Sequence, residues 1–153
     1  MEETKINVQD VIHSFRKVAW AFDQLFREET KDHHITFVQL SVLNILSKKR
    51  QMGLNELSQS LLLSNSTMSG VIDRLVAAGL VIRQRAAEDR RNIVIKLTKK
   101  GKEVQEEVFG EHSPLKKKLA HVLDIPAEDL KHLLYTHDLI IEKLHKKEGS
   151  ELI

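Results

Sequence analysis

The sequence predicts a mostly α-helical fold with one small β wing, carried mid-chain and flanked by longer helices from both chain ends. Three observations predict it. Residues 54–79 hold two runs of helical apolar spacing with a turn between them, residues 80–97 alternate as two strands around a polar loop, and both ends of the chain carry extended apolar stripes. With six glycines and two prolines among 153 residues, such helices meet few breaks.

The first helix is expected from about Ile6 to Thr30. Val8, Val11, Phe15, Val18, Phe22 and Leu25 follow one another at spacings of three and four, the seam of helices packed lengthwise, and Ile12, Ala19 and Phe26 widen it. So broad a stripe asks for a partner; packing within one subunit is the alternative. Asp32-His33-His34 ends the pattern. Thr36 and Gln39 form a capping-box signature for a second helix, which carries Phe37, Leu40, Leu43 and Leu46 to about Lys49.

Asn55 is the expected cap of a short third helix, with Leu57 and Leu61 packed behind the helix that follows. Ser64 caps that fourth helix, because its hydroxyl takes a free N–H of the first turn. Met68, Val71, Ile72 and Leu75 make its apolar back, and Gly79 closes it where left-handed backbone is cheapest. Its front carries Asn65, Ser66, Ser69, Gly70, Asp73 and Arg74, all small or hydrogen-bonding. Such a front suits a DNA major groove, about 12 Å wide.

Leu80 to Arg85 reads as a strand, Ala86 to Asn92 as a polar loop, and Ile93, Ile95 and Leu97 as one face of a second strand. A helix-turn-helix followed by a hairpin is a winged helix-turn-helix. Thr98 then caps a helix running through Val104, Val108, Leu115, Leu119 and Val122, with a kink or break expected near Gly110 and Pro114. Pro126 stands in the first turn of a last helix with Leu130, Leu133, Leu134, Ile140, Ile141 and Leu144 on its apolar face. The tail from Lys146 is polar until Leu152-Ile153 and is expected to fray.

Charge gathers on the wing. From Arg83 to Lys102 the basic residues are Arg83, Arg85, Arg90, Arg91, Lys96, Lys99, Lys100 and Lys102, against Glu88 and Asp89, in a chain of formal net charge +2. A charge run is usually a solvated face. Beside a recognition-type helix it becomes a phosphate-binding footprint.

These residues resemble the MarR (multiple antibiotic resistance regulator) family of bacterial winged-helix transcription factors. The resemblance rests on ELSQSLLLSNSTMSGVIDRLVAAGLVIR, on the wing EDRRNIVIKLT and on TKKG opening the next helix, and with the flanking helices it covers nearly the whole chain. It implies that the wing arginine enters the minor groove and an aspartate orients it, roles that fall to Arg91 and Asp89. Where the family often has a basic residue on the recognition helix, this chain has Gly70. A mid-helix glycine costs about 0.5–1 kcal/mol relative to alanine. Close approach of the backbone to a phosphate and tolerated drift at an exposed site are both open readings.

The resemblance also implies that the terminal helices interlock two subunits. The chain is thus expected as one structural unit: residues 1–35 an N-terminal dimerisation helix, 36–98 the winged helix-turn-helix and 99–153 C-terminal dimerisation helices. A two-fold dimer presents its recognition helices to successive major grooves about 34–36 Å apart, which predicts a pseudo-palindromic site on double-stranded DNA. Asn65, Ser66, Thr67, Ser69, Gly70 and Arg74 are assigned to the major groove or its phosphates, and Asp89, Arg90 and Arg91 to the wing. Lys96 and Lys99 are weaker phosphate candidates, and pairing with a carboxylate is the alternative for Arg74. With few long side chains on the helix front, groove shape should contribute to specificity.

The family typically binds small phenolic or lipophilic effectors between the dimer helices and the winged helix. Trp20, Phe22, Phe37 and Tyr135 are the aromatic candidates for that cleft, with core packing as the alternative for each. The expectation is a repressor, with release by such an effector and effector-free repression both open; the rival is a winged-helix adaptor binding an acidic protein partner without specific DNA binding.

Other function classes are excluded or disfavoured. No cysteine is present, so disulfides, thiolate metal sites and a cysteine-based peroxide switch are out, and a reducing cytoplasm fits. No run of about 18 apolar residues and no signal-peptide core appear, so neither membrane nor export is expected. There is no internal repeat, and Lys116-Lys117-Lys118 is the one low-complexity piece. His33 and His34 with Glu29, completed by His112 or His137, have metal-like spacing, and some members of the resembling family sense zinc. Yet Val38 and Gln39 stand where ligands would be expected, so no metal and no cofactor are assigned. No Gly-rich phosphate loop, nucleophile elbow or paired-carboxylate motif is found, and the chain is not expected to be an enzyme.

Overall fold

The computed structural model describes residues 6–86 and 91–145. In chain order it holds α1 (Val8–Thr30), a 3-10 turn (Lys31–His33), α2 (Phe37–Lys49), β1 (Gln51–Met52), α3 (Leu54–Ser60) and α4 (Asn65–Ala77). There follow β2 (Val81–Arg85), β3 (Ile93–Leu97), α5 (Lys99–Phe109), α6 (Pro114–Ala120), a second 3-10 turn (His121–Asp124) and α7 (Ala127–His145). The chain divides after Lys116 into two compact units.

Caps fix where the helices begin, and three of the four expected ones form. The Thr36 hydroxyl accepts the Gln39 N–H while the Gln39 side chain accepts the Thr36 N–H at 2.8 Å. Ser64 Oγ accepts the Thr67 N–H at 3.1 Å, and Thr98 Oγ1 accepts the Gly101 N–H at 2.9 Å. Asn55 does not cap α3. Gly53 does, and the Glu56 carboxylate takes its N–H at 2.7 Å, so the box closes from its acidic end, one turn into the helix. The helix after the wing breaks as expected: α5 stops at Gly110, and α6 opens on Pro114. Lys116 pairs with Glu111 across that break, which holds the Glu111 carboxyl below its usual range.

The sheet differs from expectation. It has three strands, not two, in the order β1-β3-β2, all antiparallel. Val81 faces Leu97 and Arg85 faces Ile93 in the hairpin, while β1 adds Gln51 and Met52 opposite Lys96 and Ile95. Two residues are too few for a period-2 pattern to register, and only their pairing with β3 makes them a strand.

The core of the first unit lies under the helix-turn-helix. Leu40, Val42, Leu43 and Leu46 of α2 are buried together with Leu57 of α3 and Met68, Ile72 and Leu75 of α4; Val81 and Ile95 of the sheet and Leu115 of α6 are buried too. The apolar back expected for α4 is therefore its buried face. α1 contrasts with this: it buries only Phe26 and Thr30 and leaves Val8, Ile12, Phe15, Val18 and Phe22 in solvent. In the second unit α7 buries no residue and exposes Leu133, Leu134, Ile141 and Leu144.

Candidate nucleic-acid interface

α4 is held at both ends. Ser64 fixes its start, and at its end the N–H groups of Gly79 and Leu80 return to the carbonyls of Val76 and Leu75, each at 2.9 Å, with Gly79 at φ 71°. This double return is the Schellman motif, for which glycine is the favoured left-handed residue. Its burial leaves Asn65, Ser66, Thr67 and Arg74 exposed along one side and Ser69 and Gly70 half-buried. The six residues assigned to the groove thus share a helix whose opposite face is core.

Arg74 folds back along α4, its Nε donating to the Gly70 carbonyl at 3.2 Å. Among the described residues no carboxylate pairs with it, so the alternative reading of Arg74 is not seen. A Cβ on Gly70 would meet nothing nearer than the Arg74 guanidinium at 3.7 Å. Among the described residues, then, no packing requires glycine there. Asp73, one residue before Arg74, instead receives Arg83 Nη1 of β2 at 2.7 Å and ties helix to wing. That pair joins two residues noted separately in the sequence, and only the fold makes them neighbours.

The base of the wing is built on Thr98. Its N–H donates to the Leu80 carbonyl at 3.0 Å and its hydroxyl to the Gly79 carbonyl at 2.6 Å, while Lys100 Nζ reaches the Ala78 carbonyl at 2.9 Å. These bonds knot the end of α4, the end of β3 and the start of α5. Lys100 is thereby occupied in satisfying helix-end carbonyls, as cations near a helix C-terminus do. Arg91 lies exposed at the described edge of the hairpin, where the Ala86 N–H meets the Asn92 carbonyl at 2.8 Å. Asp89 and Arg90 lie outside the described residues.

Of the four aromatic effector candidates, two come together. Phe37 of α2 meets Phe26 of α1 at a ring-centroid distance of 4.0 Å, and Phe22 stacks on Phe26 at 6.4 Å. With Ala19 and Asp23 these rings line a groove of about 500 Å³. Phe26, read in the sequence only as part of the stripe, is its centre. Trp20 is 65% exposed on α1 and does not line this groove; Tyr135 is 60% exposed on α7. The histidines do not assemble a metal site: among the described residues no cluster of three or more His, Cys, Asp or Glu is placed to hold an ion. His33 instead approaches Glu107 at 3.6 Å.

A helix pair presenting one polar face, braced by a sheet whose hairpin projects basic residues beside it, defines a winged helix-turn-helix protein. Comparison with known proteins agrees: the sequence model of the MarR family matches residues 35–93. The organic hydroperoxide resistance transcriptional regulator of Bacillus subtilis (strain 168) is 30% identical over 131 residues, 79% of this chain and 84% of that protein. The HTH-type transcriptional regulator TtmR of Methylorubrum extorquens (strain PA1) is 27% identical over 132 residues, 86% of this chain, which spans 66% of that regulator's own length. Among solved structures, reduced AbfR bound to DNA superposes with a TM-score of 0.69 at 27% identity, covering 89% of this chain and 92% of AbfR. The chain belongs to the MarR family, a family of transcriptional regulators and not of enzymes.

Proposed function

We propose that this chain is a dimeric, sequence-specific DNA-binding regulator that represses from a pseudo-palindromic operator. The observation that carries it is α4, whose Met68, Val71, Ile72 and Leu75 are committed to the core while Asn65, Ser66, Thr67 and Arg74 stand exposed beside a basic hairpin. Residues at the N-terminal end of a recognition helix reach base edges, and basic wing residues such as Arg91 hold phosphates or a narrow minor groove. The DNA complex of AbfR, similar over most of its length, supports the same use of this fold.

Dimerisation is supported by α1 and α7, whose apolar faces are too extensive to leave in water. The two-fold spacing of recognition helices then selects half-sites one helical turn apart. A small phenolic or lipophilic molecule in the Phe22–Phe26–Phe37 groove is the effector that its apolar lining supports, and its binding would release the operator. Although the Bacillus relative is a hydroperoxide-resistance regulator, this chain has no cysteine and cannot sense peroxide by thiol oxidation. As a nucleoid-bound regulator it works in the cytoplasm; among the described residues no helix is long and apolar enough to cross a membrane.

The test is binding of the purified protein to its own upstream DNA and to random DNA across a salt series. Tight, palindrome-dependent binding with a steep salt slope is expected. Equal, weak binding to both would favour the adaptor reading.

A further inference from the structure

α3 and α4 end in the same backbone motif with different residues at its left-handed position. In α4 that position is Gly79, at φ 71°. In α3 the N–H of Leu62 returns to the Gln59 carbonyl at 3.2 Å and the N–H of Leu63 to the Ser58 carbonyl at 2.9 Å, with Leu62 at φ 54°. Glycine adopts this conformation freely, whereas a bulky side chain is strained by contact between Cβ and its own backbone. Contacts elsewhere in the fold do not offset the strain, because Leu62 is 93% exposed, the most exposed of the chain's large apolar residues described. A bulky side chain kept at a left-handed position without packing there points to a role outside the folded chain.

Leu62 stands two residues before Ser64, the cap of α4, and so borders the first turn where Asn65, Ser66 and Thr67 are exposed. That end of a recognition helix is the one that enters the groove. DNA offers apolar surface there in the thymine C5-methyl and in the carbons of deoxyribose. We propose that Leu62 is a DNA-contacting residue, an apolar side chain held in a strained turn so that it packs against a thymine methyl or the neighbouring sugar. This rests on the DNA-binding reading of α4. The polar front of the helix supplies hydrogen bonds, and Leu62 supplies the one large apolar contact at its entrance.

The test starts from a duplex that the wild-type chain selects out of a random-sequence pool. Affinities of wild type, Leu62→Gly and Leu62→Met are measured for this duplex, for the same duplex with uracil in place of thymine, and for a scrambled one, together with thermal melts. Leu62→Gly is expected to melt no lower than wild type, since glycine accepts the left-handed turn, yet to bind the selected duplex about tenfold more weakly. Leu62→Met, which keeps the apolar contact, should stay within about threefold. For a thymine contact, uracil weakens wild type but not Leu62→Gly; for a sugar contact, uracil changes neither and the scrambled duplex loses affinity as well. Wild-type affinity of Leu62→Gly for every duplex would overturn the proposal and direct attention to a protein partner at this turn. Should wild type fail to prefer the selected duplex, the DNA-binding reading itself falls, and this contact with it.

Discussion

The Asp73 carboxylate of α4 and Arg83 Nη1 of β2 lie 2.7 Å apart, one bridge between the proposed reading helix and the first strand of the wing. Both side chains are well exposed, 59% and 36%, so the pair contributes little to stability: about 0.2–1 kcal/mol in urea unfolding of Asp73→Ala. Its effect on DNA affinity should be larger, because it joins the two elements proposed to contact DNA. A double-mutant cycle with Arg83→Ala should show coupling in operator binding that exceeds the coupling in stability. Equal couplings would mean that helix and wing are aligned by the Thr98 knot alone.

Two glycines near that knot separate steric from conformational need. A Cβ on Gly101 would lie 1.9 Å from the Leu80 carbonyl oxygen, which already accepts the Thr98 N–H and cannot give way. Gly101→Ala is therefore expected to destabilise by about 3 kcal/mol. A Cβ on Gly79 would meet nothing within 4 Å, and its only penalty is the positive φ, so Gly79→Ala should cost about 1–2 kcal/mol. Urea midpoints at constant m-value order the two; the reverse order would contradict the close approach of α5 to the turn after α4.

The parts of this fold written locally were legible, and the parts made by distant pairing were not. Thr36 with Gln39, Ser64 and Thr98 announce helix starts because the capping side chain and its N–H partner are three residues apart. Met68, Val71, Ile72 and Leu75 announce a buried face through their spacing alone. β1 leaves no local signature, because Gln51 and Met52 become a strand only by pairing with Lys96 and Ile95. Gly53 leaves little more, because a glycine cap has no side chain and Glu56 is its one local trace. At the aromatic groove, rotation about the helix decided the outcome. Phe22 and Phe26 are four residues apart and share a face, whereas Trp20, two residues from Phe22, points about 200° away from it. The need for glycine at Gly101 appears in the sequence only as part of TKKG, and its cause lies in Leu80, 21 positions earlier.

Base reading and phosphate holding can be told apart by mutation of Asn65 and Arg91. Asn65→Ala removes a donor and acceptor from the first turn of α4. It should cost about 1–3 kcal/mol on the preferred sequence and relax selection at one operator position. Arg91→Gln should weaken binding to all sequences alike and lower the salt slope by about 1. Titrations at several salt concentrations, on the operator and on a scrambled duplex, measure both. An unchanged slope for Arg91→Gln would remove that arginine from the phosphate contacts.

The apolar stripe of α1 makes a prediction about assembly that bears on operator choice. Val18 is 54% exposed and lies on the seam defined by Val11, Phe15 and Phe22, away from the buried cluster under α4. Val18→Glu therefore removes nothing from the subunit core, and the variant should keep its helical circular dichroism. In a dimer, however, the same change buries a carboxylate against apolar side chains, which is costly without a cation to pair it. Sedimentation is thus expected to show a dimer for wild type and a monomer for the variant. A monomer retains α4 and the wing, so affinity for an isolated half-site should be nearly unchanged. What disappears is the gain from linking two half-sites, about 10²–10⁴-fold on a palindromic operator. If Val18→Glu stays dimeric and keeps its preference for palindromes, α1 does not carry the interface, and the exposed face of α7 becomes the next one to test.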